Sequence, residues 1–141
     1  MKIRTFVLST CVATLSLGAA CPMAGGFVND PTATEVSFGE NTPSQFREGM
    51  STAGSEFDST CQGFFPATAQ HILNIDASQA LEVQISGDDG VRVLLLAGQS
   101  KFCSSPDDSL VRFFTRGELM VFVGADEVGK TVSYRIDFVK Q

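Results

Sequence analysis

The sequence predicts an all-β domain, an antiparallel β-sandwich of about seven to eight strands. Its clearest strand is the last one, in which Val132, Tyr134, Ile136 and Phe138 alternate with polar residues. Polar turn segments separate short apolar runs throughout the second half of the chain. After the first twenty residues, no window of helical length shows an apolar stripe of period 3.6. Short alternating strands without helices are typical of a sandwich.

The other strands are predicted in chain order from the same signals. Leu81, Val83 and Ile85 alternate with polar residues, and a polar Gly-containing turn at 86–90 leads into the apolar run 91–96. We therefore predict a hairpin over residues 81–96. Further strands are predicted at 35–38, 70–75, 101–103, 110–114 and 118–123. The predicted core consists of Leu81, Val83, Ile85, Leu94, Leu119, Val121, Val132, Tyr134, Ile136 and Phe138.

The first twenty residues are typical of an export signal. Lys2 and Arg4 precede an uncharged, mostly apolar stretch that ends in the small residues Gly18-Ala19-Ala20. The stretch is too short to remain in a bilayer as a spanning helix. The predicted organisation is a signal peptide at 1–20, a flexible linker or edge strand at 21–45, and the sandwich at 46–141.

Cys21 has two interpretations. It follows Leu17-Gly18-Ala19-Ala20, which resembles a bacterial lipobox, and the cysteine of a lipobox becomes the lipid-bearing first residue. Ordinary cleavage near Ala20 leaves no lipid, and cleavage after Gly26 removes Cys21 altogether. The predicted location is therefore periplasmic, anchored to the outer membrane, or secreted. Lipid on Cys21 is the one predicted link to a membrane.

Cys61 and Cys103 are the two cysteines of the predicted sandwich, 42 positions apart. Export places them in an oxidising compartment, where a disulfide is favoured. The alternative is two separate buried thiols, which exported proteins rarely keep. We predict the disulfide Cys61–Cys103.

Net charge and composition limit the kinds of partner that the protein is expected to bind. The formal net charge is −6, and it becomes −8 once the signal, with two basic and no acidic residues, is removed. Such an acidic surface repels nucleic acid and anionic lipid headgroups. Twelve Phe against one Tyr and no Trp indicate core filling rather than exposed platforms for sugars or bases.

Catalytic motifs are absent from the sequence. His71 is the only histidine, it lies in an apolar run, and no Gly-x-Ser-x-Gly motif accompanies it. The sequence also lacks a Cys/His cluster for zinc and a Gly-rich phosphate loop. We predict a protein that is not an enzyme, without catalytic residues or a cofactor. Replacing His71 by Ala is expected to leave folding nearly intact.

Two acidic pairs are the calcium candidates. Asp88-Asp89 lies in the predicted turn before Gly90, and Asp107-Asp108 lies in the polar loop after Cys103. Paired carboxylates on loops suit calcium, which takes six to eight oxygen ligands. The same residues are also ordinary turn formers that bind backbone amides. The prediction is therefore no dedicated metal site, with Asp88, Asp89, Asp107 and Asp108 as the ligands if calcium binds.

Several short motifs occur in a defined order: Cys61-Gln62-Gly63-Phe64-Phe65, Cys103 with Asp107-Asp108, Gly117 to Gly124, and Tyr134-Arg135-Ile136-Asp137-Phe138. In these motifs the chain, from about Phe46 to Val139, resembles the bacterial pre-peptidase C-terminal domain group. It differs in having Ala69-Gln70 for the usual Pro-Asp and Leu119 for a Tyr. The resemblance implies a jelly-roll-like sandwich that assists secretion, substrate contact or stability without catalysis.

The predicted function is a non-catalytic exported accessory or binding module of the bacterial cell envelope or secreted fraction. Its partner is expected to be a protein or polysaccharide of the envelope. One alternative is a lipid-anchored structural envelope protein. Another is a small hydrolase, or an inhibitor of hydrolases, that acts through the loops at one end of the sandwich.

Overall fold

The structure, a computed structural model, describes residues 33–141. The predicted signal peptide and Cys21 lie outside these residues. Eleven strands and no helix make up the described part: β1 Thr34–Phe38, β2 Gln45–Thr52, β3 Glu56–Asp58, β4 Gly63–Phe65, β5 His71–Ile75, β6 Gln79–Gly87, β7 Val91–Ala97, β8 Ser100–Ser104, β9 Leu110–Phe114, β10 Gly117–Ala125 and β11 Thr131–Lys140. No helix within residues 33–141 has the length and apolarity needed to cross a membrane.

The strands form two facing sheets, which confirms the predicted all-β sandwich. The first sheet has the order β1-β5-β10-β7-β8, and the short strands β4 and β3 extend it at the end of β10. The second has the order β2-β11-β6-β9. All strand pairs are antiparallel except β1 with β5, which is parallel.

The predicted hairpin over residues 81–96 is wrong. Strand β6 pairs with β11 and β9 in the second sheet, whereas β7 pairs with β10 and β8 in the first. The turn at 88–90 therefore carries the chain from one sheet to the other. A local alternation pattern identifies a strand and its buried face, but it does not identify the strand that pairs with it.

Three strands were missing from the prediction: β2, β3 and β4. In β2, alternate residues from Phe46 to Thr52 face solvent, and only Ser51 is buried. This strand forms because eight of its residues are in register with β11, from Gln45 opposite Phe138 to Thr52 opposite Thr131. Its sequence alone, with Gly49 and two charges, carries a weak strand signal.

The main core lies between the two sheets. Every predicted core residue is buried, with exposed fractions between 0% and 6%. Leu94 is the one predicted core residue that does not lie between the sheets, because its side chain points to the outer face of the first sheet. There it packs in a second cluster with Cys61, Phe65, Ala69 and Phe122. The sandwich thus has a main core and a smaller outer core under residues 59–69.

Strand β1 belongs to the sandwich although it lies in the predicted 21–45 segment. Val36 and Phe38 are buried in the main core, and the Phe38 ring meets Phe138 edge-on at 6.1 Å between centroids. Within this segment, residues 34–38 therefore form an edge strand.

Strand directions bring three connections to one end of the sandwich: residues 88–90 between β6 and β7, 105–109 between β8 and β9, and 126–130 between β10 and β11. We call these three connections the loop end. It contains all four predicted calcium candidates.

Candidate functional site

The turn at 88–90 is clamped to β11 by Asp88. The Asp88 N–H donates to the Ser133 carbonyl at 3.0 Å, and the Ser133 N–H donates to Asp88 Oδ2 at 2.8 Å. The Val91 N–H closes the turn by donating to the Asp88 carbonyl at 3.2 Å. One oxygen of the Asp88 carboxylate thus accepts a backbone hydrogen bond, which is the ordinary role of an aspartate in a turn.

Gly90 brings the turn against the neighbouring loop. Its φ of 84° lies in the left-handed region, and a Cβ at this position would stand 2.2 Å from Asp126 Oδ1. The Asp126 N–H donates to the Gly90 carbonyl at 2.9 Å. A side chain at position 90 would therefore separate two loops that now support each other.

Asp126 is itself held by Lys130. The Lys130 ammonium lies 3.1 Å from Asp126 Oδ1, and this hydrogen bond, with the charges of Lys130 and Arg92, lowers the pKa of the Asp126 carboxyl. The Gly129 N–H donates to the Ala53 carbonyl at 2.9 Å, which ties the same loop to the end of β2. The loops at 88–90 and 126–130 thus form one hydrogen-bonded unit.

Two side chains project from this unit. Asp89, at the tip of the turn, is exposed, and no residue between 33 and 141 bonds to its carboxylate. Val128 is 62% exposed at the tip of the neighbouring loop. A free carboxylate and an apolar side chain are therefore presented on a fixed backbone.

The third loop closes on itself. The N–H groups of Ser105 and Asp108 each donate to the other residue's carbonyl, at 3.2 and 3.0 Å. Asp107 and Asp108 are exposed beside an open recess of about 250 Å³ that Arg92 and the Cys61–Cys103 pair also line. Arg92, Asp107 and Asp108 thus line the same recess.

The four calcium candidates do not assemble into a chelating cluster. Within the described chain, one group of three potential ligands lies with its atoms within 4.8 Å of one another, and it consists of Asp58, Cys61 and Cys103. Both of its sulfur atoms are engaged in the disulfide, which removes them as metal ligands. Asp88, Asp89, Asp107 and Asp108 share the loop end without meeting as a set.

The predicted disulfide is confirmed: Cys61 and Cys103 are bonded at 2.03 Å. Asp58 supports it by accepting the Cys61 N–H at 2.8 Å and by pairing with the Lys101 ammonium. Burial opposes ionisation of the Asp58 carboxyl, but the bonds from Lys101 and Cys61 outweigh it and lower its pKa. The bridge pins residues 58–61 to the outer face of the first sheet.

His71 lies inside the sandwich, only 4% exposed. Its Nε2 is 2.7 Å from the Tyr134 hydroxyl, and its Nδ1 meets the Thr34 hydroxyl. Burial, together with the charge of Arg47, lowers the pKa of His71 to about 4, and burial raises the pKa of Tyr134 to about 12. The imidazole is a buried link between the two sheets. We therefore revise the expectation that its loss leaves folding nearly intact.

Sequence reasoning located Asp88 and Asp89 in a turn but missed how that turn is held. Ser133 and Asp126 hold it, and they lie far along the chain, 45 positions after Asp88 and 36 positions after Gly90 respectively. The one local signal was Gly90, which follows two Asp residues as turn glycines do.

Comparison with known proteins supplies a structural likeness. No protein-family model and no curated protein matches the chain. The crystal structure of PliG from Aeromonas hydrophila, a periplasmic lysozyme inhibitor of g-type lysozyme, matches it with a TM-score of 0.57 and 15% sequence identity. The match covers 81% of this chain and 100% of the PliG chain. At this identity, the likeness shows that the two proteins share a fold.

Proposed function

We propose that this protein is an exported, non-catalytic inhibitor of a lysozyme-type cell-wall hydrolase, and that it binds the hydrolase through its loop end. The observation that carries the proposal is the match to the whole chain of a lysozyme inhibitor. The proposal is a specific case of the non-catalytic exported binding module predicted from the sequence. It selects the inhibitor from among the alternatives stated there.

The rigidity of the loop end supports this proposal. Asp88 and Gly90 fix the turn at both of its ends, through Ser133 and Asp126 respectively. A binding loop already held in one conformation loses little conformational entropy on association, which is the advantage of a preorganised inhibitor. Asp89 would then enter the cleft of the hydrolase, with Val128 as the adjacent apolar contact.

The charge of the domain supports the same partner class. Residues 33–141 contain fifteen acidic and eight basic side chains, a net charge of −7. An acidic inhibitor associates fastest with a partner whose contact surface is basic. We therefore expect a hydrolase with basic residues around its substrate cleft.

Export is part of the proposal. The predicted signal peptide at 1–20 directs the chain out of the cytosol, and the Cys61–Cys103 bridge requires an oxidising compartment. Membership of the pre-peptidase C-terminal domain group and lipid on Cys21 also stay predictions.

Cell fractionation with lipid labelling tests the location. Label on the wild type that Cys21→Ser abolishes would establish the anchor.

The function is tested by measuring lysis of a peptidoglycan suspension by c-type, g-type and i-type lysozymes with increasing amounts of the purified protein. We expect stoichiometric inhibition of at least one of these enzymes. Asp89→Lys should weaken that inhibition by about thirtyfold, as loss of an interface hot spot does.

Asp76→Lys is the matched control. Asp76 is an exposed residue that follows β5 at the other end of the sandwich, and its substitution changes the net charge equally. It should leave inhibition nearly unchanged. Equal loss in both variants would attribute binding to net charge rather than to the loop end. Absence of inhibition with every lysozyme would overturn the inhibitor function.

A further inference from the structure

Strand β9 is a free edge of the second sheet. Among the described strands it pairs with β6 alone. Its outward side chains are apolar and exposed, Val111 by 48% and Phe113 by 65%. Neither Pro nor Gly interrupts the strand. An exposed apolar edge of this kind is a template for pairing with another strand.

Two other edge strands, β8 and β2, carry side-chain contacts that β9 lacks, although β2 also exposes Phe46 by 46% and Met50 by 71%. Strand β8 is the edge of the first sheet on the same side of the sandwich. The segment around Asp58 and Cys61 is attached to it, because Cys61 forms the disulfide with Cys103 and Asp58 pairs with Lys101. On β2, the Arg135 guanidinium lies 4.0 Å above the Phe46 ring. Within residues 33–141, no ring or guanidinium lies over Phe113 in this way.

The charge of β9 and the two residues that follow it is opposite in sign to that of the molecule as a whole. Residues 110–116 contain Arg112 and Arg116 and no acid, although the described chain as a whole carries a net charge of −7. Arg112 is exposed, and its Nη1 donates to the neighbouring Val111 carbonyl at 3.2 Å. Neither arginine forms an ion pair with any residue in the described part of the chain.

We propose that β9 binds an extended segment of a partner protein in which apolar and acidic residues alternate. The segment adds to the second sheet as a fifth strand, with apolar side chains beside Val111 and Phe113 and a carboxylate beside Arg112. Backbone hydrogen bonds along the edge provide affinity, and the side chains provide selectivity. This surface is separate from the loop-end turn at 88–90 and does not depend on the inhibitor function.

A second copy of the chain is a poorer occupant. Two β9 strands paired antiparallel about their centre would place Arg112 opposite Arg112. Like charges directly opposite each other destabilise a strand pair. An acidic partner removes this repulsion and neutralises the local positive charge.

The test uses two blocked peptides as probes, Thr-Val-Asp-Val-Asp-Val-Thr and the matched Thr-Val-Lys-Val-Lys-Val-Thr. Each is titrated into the isotope-labelled protein while amide NMR shifts are recorded. We expect the acidic peptide to shift the amides of Leu110–Phe114 and to bind about tenfold more tightly than the basic one. Arg112→Glu, an exposed substitution, should reverse this preference.

Three results would overturn the proposal. One is the absence of shifts at Leu110–Phe114 with the acidic peptide. The second is an unchanged preference in Arg112→Glu, once its amide spectrum shows that it is folded. The third is a dimer in solution that Phe113→Asp converts to monomer, because the edge would then be occupied by a second copy.

Discussion

His71 shows how a single buried polar residue couples the two sheets. It belongs to β5 in the first sheet and bonds to Tyr134 of β11 in the second, while Thr34 of β1 occupies its other nitrogen. The ionisable groups shown beside it are Tyr134 and Arg47, and neither carries a negative charge that would favour a charged imidazole. Gly49 on β2 leaves room for the Tyr134 hydroxyl, which would lie 3.3 Å from a Cβ there. The folded state therefore strongly prefers neutral His71.

This preference predicts a loss of stability in mild acid. The pKa of His71 is about 4 in the folded state against 6.5 for an ordinary histidine, so the unfolded state binds more protons between these values. The free energy of unfolding should fall by up to about 3 kcal/mol as the pH is lowered through this window, and this contribution should level off below it. Urea unfolding at a series of pH values measures the effect.

His71→Gln is the diagnostic variant for that pH dependence. At neutral pH it should lose about 1–3 kcal/mol, because it disturbs buried hydrogen bonds. It should also have a flatter pH dependence between pH 4 and 6.5 than the wild type. The same slope in both proteins would assign the acid sensitivity to other groups.

The four loop-end aspartates lead to a prediction about calcium. Asp88 already accepts the Ser133 N–H, and the four carboxylates do not gather as a ligand set, whereas calcium needs six to eight oxygens. We expect the melting temperature to be unchanged by millimolar calcium. A calcium-induced rise that Asp107→Asn with Asp108→Asn abolishes would instead establish a site, because a native-state ligand must stabilise the fold.

At the scale of elements, the segment from β3 to the start of β5 depends on the disulfide. Residues 59–69 contain little regular structure besides the three-residue β4, yet they cover Leu94 and Phe122 on the outer face of the first sheet. Close backbone approach helps, because a Cβ on Gly124 would stand 2.0 Å from the Phe64 carbonyl. The disulfide and the close contact at Gly124 thus hold residues 59–69, a segment whose own sequence has little tendency to form regular structure.

Removal of the bridge should therefore be costly. The double substitution Cys61→Ala with Cys103→Ala opens a loop of 42 residues, for which loop-closure entropy predicts a loss of about 4 kcal/mol. Urea unfolding measures this loss, and non-reducing mass spectrometry of the wild type verifies the bridge. Because the outer core also loosens, amide exchange should accelerate in 59–69 more than in β11. Uniform acceleration would show that the bridge acts on the unfolded chain alone.

At the scale of the molecule, β11 organises the second sheet. It pairs with β2 on one side and β6 on the other, and its inward residues Val132, Ile136 and Phe138 are fully buried in the main core. Loss of packing along this strand affects both sheets at once.

Ile136→Ala should lower the free energy of unfolding by about 2–5 kcal/mol, because it removes buried methyl groups and leaves a cavity. Ser133→Ala, on the exposed face of the same strand, should change it by about 0.5 kcal/mol or less. Chemical denaturation of the two variants provides the comparison. Equal stability of both would contradict the assignment of the inward face.

Part of this structure could be predicted because its signals are local. The alternation in β6 and β11 identified their buried faces, since in a strand successive side chains point to opposite sides. Val91 to Leu96 showed no alternation, and the structure explains this: both Leu94 on the outer face and Leu95 on the inner face are buried. Strand β2 was not predicted from the sequence. Its outward residues, alternate ones from Phe46 to Thr52, are exposed, and the strand forms because it pairs with β11.

Sequence signals were sufficient to predict the all-β class, ten of the core residues and the pairing of Cys61 with Cys103, because hydrophobic periodicity and cysteine content are read without knowledge of distant contacts. The folded structure was needed to show that β6 and β7 lie in different sheets, that Ser133 and Asp126 hold the turn at 88–90, and that β9 is left as an open edge. These features depend on contacts between residues far apart in the chain. Such contacts are selected by the packing of the whole sandwich, not by the residues on either side of each strand.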